Sequence, residues 1–218
     1  MCTRITSFVG ALGVVLALAA SAHAYPQFQL STGATRCNQC HYAPAGGGLL
    51  NGYGRDEAGD TISSGGDGSF LHGLWTPPAW FQLGGDYRGA ALINDVGTTD
   101  GAELAVFPMQ ADLYARAQVS DVSLTLIAGL RGAARPDAPE LISRVASRAH
   151  YLSWQPKAQG PYARVGRFFV PMGLRLAEHP SFVRRFLGFG LLEETYAVSG
   201  GYIRNDWEVH GSVFVPDF

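Results

Sequence analysis

Residues 105–119 read AVFPMQADLYARAQV. The odd positions Ala105, Phe107, Met109, Ala111, Leu113, Ala115, Ala117 and Val119 are all apolar, while the even positions include Gln110, Asp112, Tyr114, Arg116 and Gln118. Side chains two apart share one face of a strand, so this stretch predicts a β-strand with one hydrocarbon face and one polar face.

The same split extends in both directions. Upstream, Phe81, Leu83, Tyr87, Ala91 and Ile93 oppose Gln82, Asp86 and Arg88. Downstream, Val122, Leu124, Leu126, Ala128 and Leu130 oppose Ser123, Thr125 and Arg131. Further strands are expected at 142–155, 162–174, 194–205 and 207–218, with loops at 94–103 and 175–192, the latter carrying a short helix around 182–186.

A soluble β-sandwich also alternates, with its apolar face inward. Three features favour an outer-membrane barrel instead. Several strands reach the ~9–11 residues of a membrane strand. Aromatics cluster near strand ends, as at Trp80, Phe81, Tyr151, Trp154, Phe168, Phe169, Tyr202 and Trp207, which fits interfacial girdles. Arg88, Arg116, Arg131, Arg144 and Arg148, with Asp86, Asp112 and Glu208, would be costly in a sandwich core, whereas a wet lumen lets them pair. Single-chain bacterial barrels have even strand numbers, so the strands counted here predict an incomplete barrel over residues 76–218. The expected fold is mainly β: an antiparallel outer-membrane β-barrel preceded by a small segment, residues 25–75.

That segment follows an export signal at residues 1–24. Arg4 supplies the positive start, Phe8 to Ala20 the apolar run, and Ala22-His23-Ala24 the small-x-small cleavage site. The run is shorter than the ~20 residues a spanning helix needs. Cys2 leaves with the signal, so Cys37 and Cys40 remain in an oxidising compartment.

Cys37-Asn38-Gln39-Cys40-His41 matches C-x-x-C-H. Two thiols at this spacing can form thioethers to the porphyrin vinyls while the adjacent histidine takes the iron. A zinc site would need two further ligands, and a second C-x-x-C or an H-x-x-x-H pair is absent from the sequence. One covalent haem c is therefore expected, with Cys37 and Cys40 as attachment sites and His41 as proximal ligand, which makes residues 25–75 a small haem c-binding segment preceding the barrel.

For the sixth ligand, His72 is preferred because it depends on no strand register. Met109 and Met172 share faces with hydrocarbon, His150 and His210 fall on the lumen face, and His179 lies in a loop; an open site is the remaining alternative. Gly46-Gly47-Gly48 and the Gly/Ser-rich stretch 63–68 read as loop. About fifty residues cannot build a core alone, so the segment needs a surface to pack on. With 16 Lys and Arg against 18 Asp and Glu, the net charge of −2 offers no basic surface for nucleic acid.

Ala24-Tyr25-Pro26-Gln27-Phe28, Thr32-Gly33, Cys37 to His41, Pro44 and Tyr53-Gly54 together resemble the fused monohaem cytochrome-porins of the bacterial outer membrane, which include iron-oxidising outer-membrane cytochromes. The resemblance is specific over about thirty residues and architectural across the strands. It implies electron transfer between an extracellular donor or acceptor, such as ferrous iron, and a periplasmic electron carrier, with the strands in contact with outer-membrane lipid. An electron carrier rather than an enzyme is expected. Residues 168–185 also look like solute-porin relatives, so the alternatives are a solute porin with a structural or sensory haem and a soluble periplasmic cytochrome on a β-sandwich.

Overall fold

The computed structural model describes residues 32–34, 36–61, 75–94, 103–130, 141–171 and 194–215. The expected signal peptide, His72, Arg131, Met172, His179 and the loop 175–192 lie outside them.

The chain is mainly β. Seven strands follow in order: β1 Phe81–Asn94, β2 Glu103–Val119, β3 Val122–Leu130, β4 Val145–Trp154, β5 Gly160–Phe168, β6 Thr195–Ile203 and β7 Glu208–Val215. They form one sheet in sequence order, every neighbouring pair antiparallel. Among the described residues β1 and β7 do not pair with each other, so the sheet is open. The described helical elements are α1, Gly52–Thr61, and two 3-10 turns, Cys37–Gln39 and Leu141–Arg144. Arg144 thus ends a turn rather than standing in a strand. No described helix is long and apolar enough to cross a membrane.

Short turns gather at one end of the sheet. Ser120 and Asp121 join β2 to β3, with Ser120 at a φ of 52°, and residues 155–159 and 204–207 make the other two. Trp80, Trp154, Tyr202 and Trp207 lie exposed at this end.

Burial runs opposite to that of a soluble sheet. In β3, Ser123, Thr125 and Gly129 are buried while Val122, Leu124, Leu126 and Ala128 are exposed. In β6, Val198 is 60 % exposed and its neighbour Ser199 only 2 %. Leu152, Val165, Val198 and Val213 are all exposed and form one cross-strand row. One face of the sheet is therefore open hydrocarbon. The other is covered and carries most of the charge.

Two β-bulges set which residues reach which face. Arg88 pairs with Gln110 and Gly89 with Pro108, so Met109 is an extra residue on β2. A bulge reverses side-chain parity across it. Leu104 and Val106 accordingly take the open face, while Phe107 is half-buried, which ends the odd-residue pattern at the bulge. Ile127 pairs with Ala149 and Ala128 with Ser147, so Arg148 is the extra residue on β4. This bulge corrects the expected lumen placement of His150. His150 pairs with exposed Leu126 and lies on the open face, while Arg148 is buried on the covered one.

Arg148 Nη1 donates to both Asp112 oxygens, at 2.8 and 2.7 Å, and its Nε lies 3.6 Å from Glu194. Asp112 is on β2, so the pair spans the intervening strand β3 at Gly129. A Cβ at Gly129 would run into the Asp112 carboxylate and stand 2.8 Å from Arg148 Cδ. Asp112 also accepts from Gln110 Nε2 at 2.6 Å, and Tyr114 and Gln110 both donate to Asp86. Beside this network, Tyr151 meets Phe168 edge-on at 5.6 Å, in a cluster with Ala149, Val170 and Ala197.

Gly129→Ala is expected to separate Asp112 from Arg148 and lower stability by about 3–5 kcal/mol, the cost of leaving one member of a buried pair uncompensated. Gly211, with open space around it, is the control. Urea midpoints that fall equally for Gly129→Ala and Gly211→Ala would refute the role given to Gly129.

Candidate functional site

The Cys37–Gln39 turn begins from an extended Arg36, whose backbone N–H donates to Gln39 Oε1 at 3.1 Å. Cys40 N and His41 N both donate to the Cys37 carbonyl, at 3.2 and 2.9 Å. Residues three apart on such a turn share one side, so the two thiols stand together with the imidazole on the following residue. Both cysteines are half-buried, and neither is in a disulfide.

The chain then loops back on itself. His41 and Leu50 form an isolated antiparallel bridge, Tyr42 N donates to Leu49 O at 3.2 Å, and Gly46 N to Ala43 O at 2.9 Å. Gly46, Gly47 and Gly48 take φ values of 74°, 72° and 64°. Three left-handed residues in succession are accessible to glycine and strained for other L-residues. Gly46 also needs its missing side chain: a Cβ there would lie 3.3 Å from Cys37 Cβ and Sγ. Pro44, Ala45 and Leu49 are buried inside the loop.

Asn51 ties this loop to α1. Its Nδ2 donates to the carbonyls of Asn38 at 3.1 Å and Gln39 at 2.9 Å, and its backbone N–H to Cys40 O at 2.9 Å. Its Oδ1 accepts from Gly54 N at 3.0 Å, which caps the helix. A Cβ at Gly54 would collide with the Cys40 backbone, so glycine lets α1 lie directly on the cysteine turn.

The assembly sits on the covered face of the sheet. The Arg116 guanidinium lies 4.0 Å above the Tyr42 ring and is itself held by Gln82 Oε1 at 3.0 Å and Gln118 Oε1 at 2.8 Å. A Cβ at Gly48 would stand 3.2 Å from Ile127 Cδ1, and one at Gly84 2.9 Å from Leu49 Cδ2. Asn38 Nδ2 donates to Ala158 O at 3.2 Å, in the short turn between β4 and β5.

Burial pushes the His41 pKa below its ordinary value, an effect partly offset by the backbone of Gly47 and Gly48. Its Nδ1 is buried and makes no hydrogen bond among the described residues. Burial raises the Cys40 thiol, with Glu57 and Cys37 adding to it. The neutral forms of both groups are thus favoured. Two thiols outside any disulfide on one turn, a neutral imidazole beside them and a loop of glycines closing over Cys37 make a donor set that suits a vinyl-bearing porphyrin. The cysteines can each form a thioether, and His41 can offer a ring nitrogen to iron.

The structure joins Cys37, Cys40 and His41 and engages the other described candidates elsewhere. His150 contacts Ser147 Oγ at 2.8 Å and Tyr196 OH at 3.1 Å on the open face. Both His210 nitrogens are occupied, Nδ1 by Tyr162 OH at 2.8 Å and Nε2 by Glu208 at 3.3 Å. Met109 is exposed at its bulge. Among the described residues no three His, Cys, Asp or Glu converge to hold an ion. Asn51, Gly54, Tyr42 and Arg116 had no assigned part in the sequence reading beyond the Tyr53-Gly54 likeness and the charge of Arg116. Asn51 had a legible signal, since asparagine is a favoured helix N-cap.

Arg164 is a second feature of the covered face. It is 2 % exposed, and among the described residues its buried Nε and Nη atoms make no hydrogen bond of full geometry, the polar groups set against them being the Tyr151 and Tyr162 hydroxyls. Its guanidinium lies over the rings of Phe168 at 4.2 Å, Tyr151 at 5.4 Å and Tyr162 at 5.8 Å. Such contacts contribute roughly 0.5–2 kcal/mol each. The penalty for burying an ion remains several kcal/mol, so the cage offsets it only in part.

No protein-family model, curated protein or solved structure matches this chain.

In protein with nothing attached to the thiols, the His41 imidazole is expected to titrate below its ordinary 6.5. The unfolded chain then takes up the proton first, so stability from His41 is full above pH 6.5 and is lost as pH falls towards the lowered value. A midpoint at or above 6.5 in an NMR titration would contradict the burial of this ring.

Proposed function

We propose that the chain is an outer-membrane monohaem c-type electron carrier, akin to the cytochrome-porins. Cys37 and Cys40 attach the haem, His41 is its proximal ligand, and the seven strands belong to an outer-membrane barrel. The observation that carries the reading is the C-x-x-C-H turn packed on the covered, charged face of a sheet whose other face is exposed hydrocarbon.

The haem supplies one-electron chemistry at its iron. The chain's own residues do the rest. Asn51 and the left-handed glycines hold the two thiols and His41 in one rigid turn. Arg116 and Tyr42 lock that turn to β2 and bring a positive charge beside it. His72 remains the preferred sixth ligand, with an open position as the alternative. The inverted burial supports lipid contact over a soluble sandwich, in which Leu124, Val198 and Val213 would face a core and Arg148 and Asp112 would face water. The exposed aromatics at the short-turn end suit an interfacial girdle. Electrons would pass between an extracellular partner and a periplasmic carrier.

Purified protein is expected to give a c-type spectrum in alkaline pyridine after reduction, with haem retained through acid-acetone extraction. In liposomes with a trapped acceptor, external reductant should drive its reduction, and Cys37→Ala should bring that rate to the protein-free background. A non-c-type spectrum overturns the haem assignment. Solute flux through both proteins, without reduction of the acceptor by either, favours the porin alternative.

Val198→Arg tests the membrane assignment. It should weaken insertion into vesicles by about 2–4 kcal/mol, the cost of a cation on the lipid face near the midplane. Asp121→Arg, in an exposed turn, should leave insertion unchanged. Equal insertion of the two variants would count against lipid contact at β6.

A further inference from the structure

One row of residues runs across five strands of the covered face: Ser123, Ser153, Arg164, Ser199 and Ser212, each paired directly with the next. Arg164 is the one charge in this row. Ser212 Oγ donates to Ser199 Oγ at 3.0 Å, and Ser199 is buried beside Arg164. A guanidinium carries five N–H donors arranged to meet an oxyanion in parallel. Among the described residues none of its three nitrogens makes a hydrogen bond of full geometry, and no carboxylate forms an ion pair with it.

The aromatic cage answers the charge of Arg164 and sets the Tyr151 and Tyr162 hydroxyls against it, but neither forms a hydrogen bond of full geometry with its N–H groups. Ring faces attract a cation through their quadrupole, and the donors in the guanidinium plane still need oxygen. The contrast with Arg148 is direct. That guanidinium, on the same face, has Asp112 and Glu194 for partners. Hydroxyls on both paired neighbours, Ser153 and Ser199, can donate to an oxyanion that bridges to Arg164.

We propose that Arg164, flanked by Ser153 and Ser199, anchors an oxyanion site on the covered face that takes a carboxylate. That carboxylate comes either from a free solute or from a propionate of the haem attached at Cys37 and Cys40. The propionate source rests on the proposed function; the free-solute source does not.

The test uses the full chain in detergent, with acetate as probe and chloride at equal ionic strength as control. In haem-free protein, Cys37→Ala/Cys40→Ala, acetate should raise the thermal midpoint saturably above chloride. Arg164→Lys in that background should raise the half-saturating acetate at least tenfold, because the ammonium cannot make the parallel pair. In haem-loaded protein a persistent acetate response identifies the free solute. Its absence, with a pH profile of the reduction potential that Arg164→Lys alters, identifies the propionate. If the double variant does not fold, the loaded protein decides alone: neither an acetate response nor an altered pH profile overturns the site. In haem-free protein, an acetate effect equal to that of chloride, or unchanged by Arg164→Lys, also overturns it. If the purified wild type carries no haem, the haem-free measurements are made on it directly, so failure of the haem assignment and failure of the anion site are read separately.

Discussion

The pairing of Arg148 with Asp112 is the constraint on which the covered face depends. Two charges removed from water need each other's geometry, and these sit on strands separated by a third. The separation is bridged because β3 presents Gly129 at the crossing, and because the bulge on β4 makes Arg148 an extra residue turned to this face. The same bulge turns His150 outward. A single inserted residue therefore decides both where the ion pair forms and which histidine leaves the interior.

The cysteine turn is built by a parallel economy of small residues. Gly54 lets α1 touch the Cys40 backbone, and Gly46 lets the loop close over Cys37. Asn51 then uses three hydrogen-bonding groups to join turn, loop and helix, its amide nitrogen bonding two carbonyls and its oxygen capping α1. This segment has a few buried side chains of its own, Pro44, Ala45 and Leu49, and leans on the sheet through Tyr42 and Leu49. Its rigidity is thus shared with β1 and β2.

Seven strands were legible because period-two alternation survives in each segment, and the exposed leucines and valines of β3 and β6 follow it residue by residue. The bulges were not legible. One extra residue leaves local composition unchanged, so parity carried through Met109 and Arg148 assigns Phe107 and His150 to the wrong faces. Helix α1 was not anticipated, because Gly52, Gly54 and Gly59 weaken helix propensity; it forms with support from the Asn51 cap and the close approach to the Cys40 backbone. Cys37, Cys40 and His41 are adjacent in sequence, and so their grouping could be read directly. Arg164 could not, because its isolation from carboxylates is a property of five paired strands.

On the proposed reading, the placement of the motif limits how an electron could cross. Asn38 bonds to the turn between β4 and β5, and Tyr42 lies against Arg116, near the end of β2 that runs into the short Ser120-Asp121 turn. Short turns face the periplasm in outer-membrane barrels, and longer loops face outward. The haem would then sit towards the periplasmic side, close to a soluble carrier. A bilayer core of about 30 Å is too wide for one tunnelling step, so an extracellular partner would have to reach into the pore or relay through another redox group. The polar covered face would favour such a partner over the hydrocarbon one: Asp86, Arg88 and Gln110 form a hydrogen-bonded network that continues to the buried Asp112–Arg148 pair. The Asp112–Arg148 end of that network is closed to water, so such a partner would approach by the exposed Arg88 end, whereas the hydrocarbon face would exclude a polar reductant.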